Sequence, residues 1–287
     1  MVAQALIGIE GVSLGQYGGI NVDIAQIDLD GPVETDLFHE AFGGFSTFLS
    51  SVVEYPSPQL VKWQFVGPVT LGAVLVRVGL APDFAFQLAL KVIRSHMRVL
   101  EDKIARACPQ ATQIIVLDEP MAHEAFSPDF AISADSVLDV ISGALAVVDD
   151  DNWSGLHCCA RTDWNALLST GADVLSVPVP NPSQTDEVAD LMSSARRISE
   201  HLVLGGRIAW GAVRTDGPIA SSPERSWRTL REMWGSLIAQ GVDADLLHEH
   251  SFITPVCGLG NHSEALAEQV FAHVNVLSTR LAEYGVQ

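Results

Sequence analysis

Gln113-Ile114-Ile115-Val116-Leu117-Asp118-Glu119 is a short, nearly unbroken apolar run that ends on two carboxylates. A run of this length and composition reads as a strand buried on both faces, the kind found in parallel sheets. It stands between two longer stretches with helical spacing, Asp83–Ala107 and Ser133–Val148. In the first of these Ile93, Met97, Leu100 and Ile104 recur on one helix face.

The alternation continues in both directions. Strands are predicted at Trp63–Leu71, Gly155–Ala160, Asp173–Val179, Arg207–Val213 and Phe252–Cys257, with further candidates at Leu6–Val12 and Val22–Leu29. Helices are predicted over Thr35–Glu54, Thr185–His201, Ser222–Gln240 and Asn261–Tyr284. Ser221 stands three residues before Glu224 with Pro223 between, and Asn261 three before Glu264, so both can cap exposed helix amides. No linker, repeat or low-complexity tract divides the chain, and residues 1–287 read as one domain. About eight β/α units predict an α/β fold, a (β/α)8 TIM barrel, with a doubly wound open sheet as the alternative. A barrel would place its chemistry at the C-terminal ends of the strands.

Composition narrows the function. Sixteen basic against 35 acidic residues give a net charge of −19, which disfavours nucleic acid and anionic membranes as partners. No apolar stretch approaches the roughly 20 residues of a membrane span, and Met1 to Leu14 has no basic leader, so a soluble, cytoplasmic chain is expected. Four cysteines, two of them adjacent, do not make a disulfide framework.

His157-Cys158-Cys159 ends a predicted strand, and alternation turns His157 and Cys159 to one side and Cys158 to the other. An imidazole and a thiolate on one side suit zinc, and Cys257, ending the last predicted strand, is a candidate third ligand. The competing reading, a core histidine with buried cysteines, stands beside it for these three and is adopted for Cys108 on its helix. Asp118 and Glu119 end another strand, where a carboxylate can hold a substrate ammonium, act as a base or merely cap a backbone amide. Gly67-Pro68-Val69-Thr70 looks like a strand exit without a catalytic role. Gly15, Gly18, Gly19, Gly205 and Gly206 do not form a dinucleotide or phosphate loop. His123 and His262 lie just beyond strand ends and are minor candidates.

Taken together and in order, Phe65-Val66-Gly67-Pro68-Val69-Thr70, Leu117-Asp118-Glu119-Pro120, His157-Cys158-Cys159 and Thr254-Pro255-Val256-Cys257-Gly258-Leu259 resemble the catalytic C-terminal domain of cobalamin-independent methionine synthase. The likeness covers about residues 60 to 285 and is nearest to short, single-barrel methionine synthase-like proteins. That family shares its barrel with uroporphyrinogen decarboxylase-like enzymes. The resemblance implies a zinc-dependent methyltransferase acting on homocysteine or a similar thiol, with His157, Cys159 and Cys257 as metal ligands. It also implies Asp118 as the residue holding the substrate ammonium, with Glu119 ordering the site. A methyl-corrinoid protein or methylfolate is the implied methyl donor. Two departures stand out. Pro178 occupies the place of the family's glutamate ligand, and Met1–Leu14 lacks its first-strand Gly-Ser segment, so the first barrel strand is expected to be atypical or missing. The alternatives are an alkyltransferase that uses coenzyme M or another thiol, and a non-catalytic barrel whose degenerate metal site binds a small ligand.

Overall fold

The computed structural model describes residues 1–15, 18–54, 58–215 and 222–284. Its parallel sheet has six strands in chain order: β3 (Leu60–Val66), β4 (Thr112–Asp118), β5 (Trp153–His157), β6 (Val174–Pro178), β7 (Arg207–Val213) and β8 (Ser251–Pro255). The helices that follow the strands give the β/α alternation of a TIM-like fold. Among the described residues the sheet is open, with β3 and β8 as its edges, so the expected closed eightfold barrel is not formed.

The missing strands are at the front. The expected strand Leu6–Val12 follows a short helix α1 (Val2–Ala5) and contributes only its last residue to β1 (Val12–Leu14). The expected strand Val22–Leu29 gives way after β2 (Ile20–Val22) to a 3-10 turn at Ile24–Gln26, fixed by Asp23 accepting from the Ala25 amide. Among the described residues β1 and β2 pair only with each other, antiparallel. Burial in β3 records the consequence. Val61, Trp63 and Phe65 are buried while Leu60, Lys62 and Gln64 are exposed, whereas β4 is buried from Gln113 to Asp118. A strand covered on both faces reads as continuous apolar sequence, and one covered on a single face alternates.

The chain clusters into two compact units, Met1–Leu156 and His157–Gln287. The first also contains α2 (Gly43–Glu54), α3 (Pro68–Arg77), α4 (Pro82–Ala107), α5 (Ala122–Ala125) and α6 (Ala134–Leu145). α4 buries Ile93, Met97, Leu100 and Ile104, as their spacing predicts. The predicted strand Trp63–Leu71 stops at Val66 because Pro68 is pre-set for the first turn of a helix, and a carboxylate on the next strand caps that turn. A buried polar lattice braces the strands from behind. Trp63 Nε1 donates to Gln113 Oε1 at 2.8 Å, Gln113 Nε2 to the Glu101 carbonyl at 3.0 Å, and Asn152 Nδ2 to Glu101 Oε1 at 2.7 Å. Burial raises the pKa of Glu101.

The second unit adds α7 (Trp164–Leu168), α8 (Thr185–Ser193), α9 (Ala195–Val203), α10 (Pro223–Ala239), α11 (Ala244–Glu249) and α12 (Glu264–Tyr284). The single helix predicted over Thr185–His201 is two helices that break at Ser194. α10 is capped by Ser222, whose hydroxyl accepts from the Glu224 amide at 3.2 Å; the predicted cap, Ser221, lies outside the described residues. Ser263, rather than Asn261, accepts from the first turn of α12, at the Leu266 amide. Among the described residues no helix is long and apolar enough to cross a membrane.

His96 of α4 is completely buried between the rings of Phe42 and Phe65. Its Nδ1 pairs with Thr35 Oγ1 at 2.8 Å and its Nε2 with the Ala5 carbonyl at 3.2 Å. Desolvation, only partly offset by the Ala5 and Ile7 carbonyls, lowers its pKa to about 4. The unfolded chain, with an ordinary histidine value of 6.5, therefore takes up the proton first as pH falls, and stability drops between pH 6.5 and about 4. Thermal unfolding across this window is expected to show a shallower acid loss of Tm in His96→Gln than in the native chain.

Candidate metal centre

In a parallel sheet all strands end on the same edge, and in the second unit this edge gathers the histidine and two of the cysteines. His157 is the last residue of β5, Cys159 lies two beyond it, and Cys257 lies two beyond the end of β8. Strand alternation holds through the turn. Cys158 points away, fully buried, with its Sγ toward the Ala160 carbonyl at 3.5 Å, while His157 and Cys159 remain half-buried. One donor atom from each of His157, Cys159 and Cys257 lies within 4.8 Å of the others, a group able to hold a metal ion.

That convergence has a geometric cause. β6 and β7 lie between β5 and β8, and three steps of about 4.8 Å would leave the outer ends of a flat sheet about 14 Å apart. The strands must curl here, and β7 supplies the means. Its register against β8 shifts between Gly211 and Val213, and a Cβ on Gly211 would come within 3.1 Å of the Val256 Cα and 3.2 Å of the Pro178 Cα. A bulge beside a residue without a side chain lets neighbouring backbone close in. The segment leading to Cys257 is then pinned by Val256 N to the Val213 carbonyl at 2.8 Å and by Cys257 N to Thr215 Oγ1 at 3.1 Å.

The imidazole is oriented from β6. Ser176 Oγ pairs with His157 Nδ1 at 2.9 Å, which leaves Nε2 as the nitrogen available to a metal, and fixing the distal nitrogen is the usual way a ligating histidine is held. Sequence reasoning missed Ser176, although it lies two residues before Pro178 and so on the same face of β6. Pro178 has no side-chain donor. Hydrogen bonds with Cys159 and His157 lower the pKa of Cys257, whereas the bond to Cys257 and burial raise that of Cys159. A cation bound by the pair would favour the thiolate form of both.

Asp118 and Glu119 belong to the first unit. Asp118 is buried and accepts from Gln64 Nε2 at 2.6 Å. Glu119, fully buried, spends both oxygens on α3: Oε1 accepts from the Val69 amide at 2.7 Å, and Oε2 from the Thr70 amide at 2.7 Å and the Thr70 hydroxyl at 2.6 Å. Desolvation raises its pKa to about 7 against these stabilising bonds. Gly67 makes room for it, since a Cβ there would lie 2.2 Å from Glu119 Oε1. The segment Gly67–Thr70, assigned no catalytic role from sequence, is therefore the scaffold that Glu119 binds. His123 instead pairs with the Pro120 carbonyl and Glu124. His262 sits in the turn before α12, its amide on the Leu259 carbonyl.

No family model matches the chain, and no curated protein matches it. Among solved structures it is similar to a methyltransferase from Methanosarcina mazei, with a TM-score of 0.56 at 16% identity over 99% of this chain and 77% of that one. It also aligns with a bee venom hyaluronidase solved with a hyaluronic acid tetramer, at TM-score 0.44 and 12% identity over 93% and 81% of the two chains. The first likeness shows the fold, and the second carries no argument.

Gly211→Val tests the curl without altering a donor. The added side chain should cost about 1–3 kcal/mol in stability. Titration of the metal-free chain with cobalt(II) is expected to show affinity reduced about ten- to a hundredfold.

Proposed function

We propose that the chain is a zinc-dependent methyltransferase that transfers a methyl group to a thiol, homocysteine or one like it. The convergence of His157, Cys159 and Cys257 carries this reading. One nitrogen and two sulfurs are donors that zinc favours, and three protein ligands leave a position for substrate. In a tetrahedral site with Zn–S bonds of about 2.3 Å, neighbouring donors stand about 3.8 Å apart. Donor atoms already within 4.8 Å of one another need only a small adjustment. The likeness in fold to a methyltransferase and the order of the sequence motifs support the same reading.

When bound, zinc would supply the positive charge that strips the proton from a coordinated thiol at neutral pH. The chain's own part is to hold and orient. Ser176 keeps the His157 ring in one orientation, Thr215 and Val213 fix the backbone that presents Cys257, and the buried Cys158 anchors the turn that presents Cys159. The methyl donor in this reading is a methyl-corrinoid protein or methylfolate. Coenzyme M or another thiol as acceptor is its nearest variant, separated by a panel of thiols. Pro178, where the family that the sequence resembles has a carboxylate ligand, favours a different second reading, a small-ligand-binding protein that holds no stoichiometric metal.

Elemental analysis of protein purified without chelator or metal resin is expected to give about one zinc per chain, lost in Cys159→Ser. No zinc in either would overturn the methyltransferase and leave the ligand-binding reading. The proposal assigns Asp118 to the substrate ammonium. Asp118→Asn should therefore keep its zinc while KM for an amino-acid thiol rises about tenfold or more.

A further inference from the structure

Cys159 and Cys257 follow different strands and are far apart in the chain, yet their sulfurs lie within 4.8 Å of each other. Both residues are half-buried, which leaves them open to a small solute. A disulfide holds its sulfurs about 2.05 Å apart, so less than about 3 Å remains to be closed. Each cysteine stands two residues past its strand, outside the ladder, where a change of rotamer and a small backbone shift can close that gap.

The other two cysteines are poorly placed for such a bond. Cys158 is fully buried, faces the opposite side and directs its Sγ to the Ala160 carbonyl at 3.5 Å. As neighbours in the chain, Cys158 and Cys159 have Cα atoms about 3.8 Å apart, below the span of about 4.4–6.8 Å usual for a disulfide. Cys108 is buried in the first unit, with its Sγ toward the Val52 carbonyl at 4.0 Å.

We propose that Cys159 and Cys257 form a reversible disulfide when hydrogen peroxide oxidises them, and that this bridge withdraws both sulfurs from the donor group available to a metal. The thiolate of one cysteine attacks the O–O bond; an S–O bond forms to give a sulfenic acid, and hydroxide leaves. The second thiol attacks that sulfur, the S–S bond forms, the S–O bond breaks and water leaves. Each sulfur loses one electron, the two peroxide oxygens gain them, and both thiol protons end in water. Thiolates are the sulfur ligands of zinc, and the disulfide offers none, so His157 alone of the three donors is left. Oxidation thus switches the centre off, and a reducing dithiol switches it on. Loss of the metal rests on the zinc reading, whereas formation of the bridge does not.

The test uses the whole chain, reduced and stripped of metal, treated with hydrogen peroxide, alkylated, and read by intact mass and peptide mapping. The expected product is a single chain ~2 Da lighter before alkylation, with one cross-linked peptide pair that joins Cys159 to Cys257. Cys159→Ser and Cys257→Ser should form no bridge within the chain and should accumulate sulfinic acid at the remaining cysteine. Cobalt(II) should bind the bridged chain about a hundredfold more weakly than the reduced one, and dithiothreitol should restore the affinity. No bridge in the native chain, a bridge through Cys158, Cys108 or a second chain, or cobalt affinity unchanged by bridging would each overturn the proposal. A bridge in a chain that binds no metal when reduced would uphold the pairing and overturn the zinc reading alone. Should either variant fail to fold, the peptide map of the native chain decides.

Discussion

Parallel pairing is the constraint from which the rest follows. Strands that run the same way deliver their C-terminal ends to one edge, and each must be followed by a crossover that leaves from that edge. The turns there are where polar side chains can stand without breaking the ladder. In the first unit such a turn is spent on architecture: Glu119 leaves β4 and satisfies the first-turn amides of α3, the groups that a helix cannot satisfy itself. In the second unit the equivalent turns carry His157, Cys159 and Cys257, and the curl around Gly211 brings them together.

The two polar assemblies bear their burial differently. Glu119 is fully buried and keeps an elevated pKa even with three hydrogen bonds, because desolvation, with the nearby Asp118 charge, outweighs them. The cysteine pair is only half-buried, and its two sulfurs lie within 4.8 Å of each other and of the imidazole. A carboxylate so fully committed to backbone amides serves rigidity. Thiols that face one another with an oriented imidazole beside them retain donor capacity.

Much of this was legible in the sequence where one local rule dominates. β7 matches its predicted span Arg207–Val213 residue for residue, and β4 differs from its prediction by one position at each end, because unbroken apolar runs between helical patterns have few other readings. The grouping of His157, Cys159 and Cys257 was legible from strand alternation and a late cysteine. Partnerships at long range were not. Val69-Thr70-Leu71 looks like strand until a carboxylate 50 residues away supplies the helix cap, and nothing near Gly211 announces that two backbones crowd it. The front of the chain misled for the opposite reason. Its apolar residues are real, but Asp23 and the glycines at Gly8 and Gly11, both with positive φ, bend the backbone before a strand can extend.

His96 also bears on the order in which the first unit assembles. Its two bonds reach 61 and 91 residues back along the chain, to Thr35 and Ala5, whereas paired positions of β3 and β4 are 52 residues apart and α3 and α4 follow each other directly. Closing the longer loops costs more chain entropy and is rewarded only once α4 and β3 present a finished surface. The residues before α2 therefore dock last and release first, so their amides should mark the fastest-opening part of the unit while the strands behind them remain closed.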